Sequence, residues 1–96
     1  MKDTLLSLLK TDLRILHRSE DIYLKALIES AISDINGYGL ELDTDNDMGD
    51  VFLVVDCAAW KYKKRDEDVG LPRHLHFRIN TRLFNQKGKV DADAGT

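Results

Sequence analysis

Leu24, Leu27, Ile28, Ala31 and Ile35 recur at the i, i+3, i+4, i+7, i+11 spacing of one helical face, and no other feature narrows the possible folds of this chain as much. Ser19 stands before the run as an N-cap. Glu20 and Asp21 follow in the first turn, where the positive end of the helix dipole favours carboxylates, and Gly37 or Gly39 supplies a stop. The pattern predicts a helix from about residue 20 to residue 36.

The same period runs through the rest of the chain. Leu5, Leu6, Leu9 and Leu13 share one side of a first helix. Val51, Val55, Ala58, Ala59 and Tyr62 keep helical spacing through a third segment that opens on the β-branched run "VFLVV". That third segment carries a second stripe, Leu53, Cys57 and Trp60, on roughly the opposite side, so it is apolar nearly all round. Such a helix has to be covered on both sides. It is either the centre of its own bundle or it lends one face to a neighbouring subunit.

In the fourth segment Pro72 suits a first helical turn, with Leu75, Ile79 and Leu83 four apart and Phe77 and Phe84 on another face. Leu75, Phe77 and Ile79 also alternate with His74, His76, Arg78 and Asn80, so a partly β reading stays open there. Beyond Gly88 the tail "KVDADAGT" has almost no apolar content and is expected to be flexible. The expectation is an all-α fold, a bundle of about four helices in a single domain over residues 1–87, with a tail over 88–96.

At 96 residues the chain is one small domain with little room for a deep cavity. Its single cysteine, Cys57, has no internal disulfide partner, and no signal-peptide pattern is present, which points to an intracellular protein. Its longest apolar run is too short to cross a bilayer, so no membrane partner is expected.

The stretch "DTDNDMGD", residues 43–50, resembles a calcium loop in placing Asp43, Asp45 and Asp47 at alternate positions. The match stops there, because the glycine arrives one place late at Gly49 and Val54 occupies the position of the bidentate Glu. The stretch is better read as a loop whose last carboxylates, Asp47 or Asp50, cap the third helix. His74 and His76 lack a third ligand nearby and diverge on a helix, so no metal site is expected. Cys57 lies on an apolar stripe without a neighbouring base, and no glycine-rich phosphate loop exists. No catalytic residue and no cofactor are expected.

Charge is unevenly spread. Residues 41–50 hold Glu41, Asp43, Asp45, Asp47 and Asp50 with no base, while residues 61–89 hold nine of the fourteen Lys and Arg. Lys61, Lys63, Lys64 and Arg65 crowd the end of the third helix, and Arg73, Arg78, Arg82 and Lys87 continue along the fourth. The split suits head-to-tail contacts between copies or a basic surface near DNA.

The stretch "LLKTDLRILHRSEDIYLKALIESAISDI" combines Lys10, Leu13, Arg14 and Ile15, then Glu20 and Asp21, then Leu24, Leu27, Ile28 and Ala31. With the apolar third segment "VFLVVDCAAWKYKKRDEDVGLP" and a Leu-Pro start to the last helix, this order resembles the small phage head–tail connector (DNA-packaging, adaptor) proteins over about residues 5–86. The resemblance implies a structural subunit of the virion's head–tail junction, made in the host cytoplasm and not an enzyme. Such a subunit assembles as a ring beneath the portal protein and joins head-closure or tail proteins, with packaged DNA passing through the middle. The isolated chain is expected to be monomeric at low concentration, because rings of this type need not close without the portal.

Assembly contacts are expected at Leu53, Cys57 and Trp60, if that stripe is not internal core, and between Asp43, Asp45 or Asp47 and Lys63, Lys64 or Arg65 of a neighbour. Arg73, Arg78, Arg82 and Lys87 are the residues expected near DNA, through non-specific phosphate contacts. The alternative reading is a small helical DNA-binding or regulatory protein that uses the basic 61–89 region.

Overall fold

The computed structural model describes residues 2–67 and 70–94, with side chains over 4–67 and 70–85. Four helices follow one another: α1 (Lys2–Leu13), α2 (Asp21–Gly37), α3 (Met48–Lys63) and α4 (Arg73–Ala94). No strand occurs among the described residues, so the alternating pattern around Leu75 resolves as helix. Local hydrogen bonding starts it at the proline, where Pro72 O accepts from the amides of Leu75 and His76 at 3.0 and 3.1 Å. The helical backbone of α4 continues past Gly88 to Ala94. Of the expected tail, Gly95 and Thr96 lie outside the described residues.

α3 is the centre of the bundle. It packs against α1, α2 and α4, most extensively against α2, and α1 also rests on α2. Val51, Leu53, Val54, Val55, Cys57, Ala58 and Ala59 are all buried, which takes up both apolar stripes within one chain. They meet Leu5 and Leu9 of α1, Leu24, Ile28, Ala31 and Ile35 of α2, and Leu75 and Ile79 of α4 in one continuous core. Hence Leu53 and Cys57, expected at a subunit contact, are 0% and 1% exposed inside the monomer. The short helices on either side suffice to cover them.

The helix ends show how the sequence sets the boundaries. α1 closes with Arg14 in the left-handed region at φ 59°. There the Arg14 amide donates to Thr11 O at 3.2 Å and the Ile15 amide to Lys10 O at 2.9 Å, the paired bonds of a Schellman ending with arginine where glycine is usual. Lys10 then donates to Asp21 Oδ1 at 2.7 Å, tying the last turn of α1 to the first turn of α2. Ser19 does not cap α2: its hydroxyl is engaged with His17 Nδ1 at 2.7 Å, and Glu20 takes the cap position without a side-chain bond. α2 ends where Gly39 adopts φ 94°, a conformation that costs a residue with a Cβ.

Candidate interaction surfaces

The acidic loop is built around the start of α3. Asp47 is the N-cap, and its Oδ1 accepts from the amides of Gly49 at 2.8 Å and Asp50 at 3.3 Å. Asp43 holds the turn before it, accepting from the Asn46 amide at 3.2 Å, while Asp43 O accepts from the Asp47 amide at 2.9 Å. Asp50, 2% exposed, reaches back so that its Oδ2 accepts from the Asp43 amide at 2.8 Å. The capping role expected for Asp47 or Asp50 falls to Asp47, and the helix begins two residues before Asp50.

α4 completes this site. Arg82 Nη2 donates to Asp47 Oδ2 at 2.6 Å, and its Nε lies 2.5 Å from Asp50 Oδ1. That second contact is a charge contact: both atoms are buried, and neither has an aligned hydrogen bond. Gly49 makes the approach possible, since a Cβ there would sit 2.6 Å from Arg82 Nη1. Partial desolvation pulls the Asp47 carboxyl up. The Asp50 amide, the Arg82 charge and the Gly49 amide outweigh it and hold the group below its usual 3.8. One turn earlier on α4, Arg78 Nη1 pairs with Asp56.

Two of the four cations expected to face DNA, Arg78 and Arg82, are thus neutralised by carboxylates of their own chain. Arg73 is exposed, and the side chain of Lys87 lies outside those described. Asp47 is likewise committed to Arg82 and to capping, so it is not free to meet a neighbour as expected. Asp43 and Asp45 are exposed. Among the described residues no group of three or more His, Cys, Asp or Glu is placed to hold a metal ion, and no helix is long and apolar enough to cross a membrane.

The opposite pole of α3 is basic. Lys61 pairs with Asp34 of α2 at 2.5 Å. Lys64 lies 3.4 Å from Glu67, with its ammonium 5.4 Å from the centre of the Trp60 ring. Arg65 lies over the Tyr62 ring at 4.3 Å and donates to Tyr62 O at 2.6 Å. Lys63 is exposed. Cations collect here because α3 presents its free carbonyls and negative dipole end. Half-buried Trp60, with Asp34, Tyr38, Lys64 and Leu71, lines an open cleft of about 630 Å³. Of the expected stripe, only Trp60 therefore reaches the surface.

The exposed aromatic face is a feature that spacing alone did not rank. Phe77 and Phe84 on α4 are 69% and 76% exposed, and Met48 and Phe52 on α3 are about half exposed. Gly49 and Asp56 both meet α4, and Phe52 shares their side of α3 by helical geometry.

No family model, curated protein or solved structure matches the chain.

Proposed function

We propose that the protein is a structural subunit of the phage head–tail connector kind, a ring former that seats under a portal and links a DNA-filled capsid to tail or head-closure proteins. The observation that carries this reading is the polarity of α3. Asp43 and Asp45 are exposed in the loop before α3, exposed Lys63 and half-buried Lys64 stand at its far end, and the helix between spans about 22 Å at its rise per residue. Opposite charges at opposite poles of one rigid helix suit a heterologous contact, in which each copy meets the next with a different surface and the series closes by rotation. The partners are further copies of the chain, the portal and the proteins below it. Half-buried Trp60 beside Lys64 is the apolar element at the basic pole.

Binding of α4 to DNA is the less favoured reading, because Arg78 and Arg82 already hold Asp56, Asp47 and Asp50. A duplex-binding protein loses affinity steeply as salt rises. The connector reading expects little affinity for free duplex at any salt.

The test is the double charge reversal Lys63→Glu with Lys64→Glu, mixed with portal-bearing capsids and imaged at the vertex. With helicity unchanged, loss of the added density at the vertex is the expected result. Normal attachment by the folded variant overturns the charge pairing, and absence of attachment by the wild-type chain overturns the connector reading.

A further inference from the structure

α4 is joined to the bundle differently from its neighbours. Among the described residues it buries only Leu75 and Ile79 fully, with Leu83 packed at the margin, whereas α2 buries Leu24, Ile28, Ala31 and Ile35. Its other attachments to α3 are charged. Arg78 and Arg82, about one turn apart, grip Asp56, Asp47 and Asp50 at the N-cap and along the first turns of α3. The Arg82 Nε to Asp50 Oδ1 contact lacks hydrogen-bond alignment, so that part of the grip is charge alone. At the end of α2 the ring contact to α4 among the described residues is His76, edge-on to Tyr38 at 5.5 Å. On its outer side α4 leaves Phe77 and Phe84 exposed.

We propose that α4 is a releasable arm, docked on α3 by the two apolar anchors Leu75 and Ile79 together with the Arg78 and Arg82 clamp. Screening or displacing those two guanidinium groups leaves only the two anchors and eases the local opening of α4, while α1, α2 and α3 stay folded. The carboxylates and guanidinium groups of the clamp, apart from Asp50, are partly open to solvent, and such pairs weaken with salt while a buried apolar core does not. The Arg82 contact with buried Asp50 is screened less, so the salt-sensitive part of the clamp is Arg78 with Asp56 and Arg82 with Asp47. Once free, a single helix of this length has no apolar surface to rest on and frays. Opening exposes Leu75 and Ile79 in addition to Phe77 and Phe84, which are already open to solvent. This inference is independent of the ring-assembly reading.

Hydrogen exchange on the full chain, resolved along the sequence, tests it. In about 1 M sodium chloride, where the screening length is about 3 Å, amides of residues 75–85 are expected to exchange on the order of tenfold faster than at low salt, with α1, α2 and α3 unchanged. Gly49→Ala is the second arm. It keeps every charge and improves the propensity of α3, yet its methyl would sit 2.6 Å from Arg82 Nη1 and 3.1 Å from the capping Asp47 Oδ1, so the guanidinium has to shift. It is expected to loosen α4 at low salt as high salt does in the wild type. Exchange of α4 in step with the α2 and α3 core at both salts overturns the proposal. So does Gly49→Ala with α4 protection unchanged or raised. The wild-type salt series stands even if a variant fails to fold.

Discussion

The phenolic hydroxyl of Tyr62 donates to Glu20 Oε2 at 2.9 Å, across 42 residues of sequence, and so fastens the end of α3 to the residue that precedes α2. The hydrogen bond to Glu20 raises the Tyr62 phenol above its usual 10.0, and desolvation and the Glu20 charge add to the effect. A group whose folded value is raised contributes stability that is complete below its unfolded value and is lost as pH rises through the folded one. The late component of the tyrosine absorbance titration is therefore expected to vanish in Tyr62→Phe. The denaturation midpoint of the wild type, but not of this variant, should carry an extra decline above about pH 10.

Asp47 gives the opposite sign. Its carboxylate is held below 3.8 by the amides it caps and by Arg82, so its contribution is present above that value and is lost as pH falls through the folded one. Asp47→Asn keeps a capping oxygen but loses the charge that Arg82 grips. Its stability deficit against the wild type should be complete at neutral pH and close in acid. Asp47→Ala, which removes the cap as well, should retain a deficit at every pH, measured as denaturant midpoints across the series.

Arg14 is the one described non-glycine residue at positive φ. An arginine there carries the crowding of its Cβ against the backbone, about 1–2 kcal/mol, whereas glycine carries none but loses more freedom on folding. Arg14→Gly is expected to stabilise the fold by about 0.5–1 kcal/mol once both effects are counted. A urea midpoint that falls would mean that the Arg14 side chain holds the turn in a way its exposed position does not suggest.

The core position of Leu53 separates folding from assembly. Leu53→Ala should cost about 2–5 kcal/mol, as expected of a fully buried leucine, and so act on urea midpoints before it acts on any partner. Substitution of exposed Lys63 should do the reverse. If Leu53→Ala leaves stability unchanged, the leucine is not in the core.

These contrasts show which parts of the structure were legible in the sequence. The first three helices follow from apolar spacing, the fourth stays open to a strand because Leu75, Phe77 and Ile79 also alternate, and the capping role of the acidic loop follows from carboxylates placed just ahead of an apolar run. Ser19 misled because a local partner, His17, takes its hydroxyl. The two stripes of α3 announced that both sides must be covered, but periodicity is silent on what covers them. That depended on how α1, α2 and α4 pack. The Arg78 and Arg82 pairings join residues 22 and 35 positions apart, beyond any local pattern, and a run of cations read as a basic surface became in part an internal clamp. Phe77 and Phe84 stood out by spacing as a separate face of α4, yet only the packed bundle shows that this face is left open.

Cys57 offers a direct probe of the central helix. Burial pushes its thiol up to about 11, with the nearby charge of Arg78 acting against that rise. The thiolate is the reactive form, so a buried thiol titrating that high should be inert at neutral pH. A maleimide or a chromogenic disulfide is expected to label the native chain only at the rate of opening, and the denatured chain at once. If α4 is an arm that leaves while α1, α2 and α3 stay packed, high salt should speed exchange along α4 more than it speeds labelling of Cys57. Rapid labelling at low salt would place the thiol at the surface and contradict the assignment of α3 as the helix around which the bundle is built.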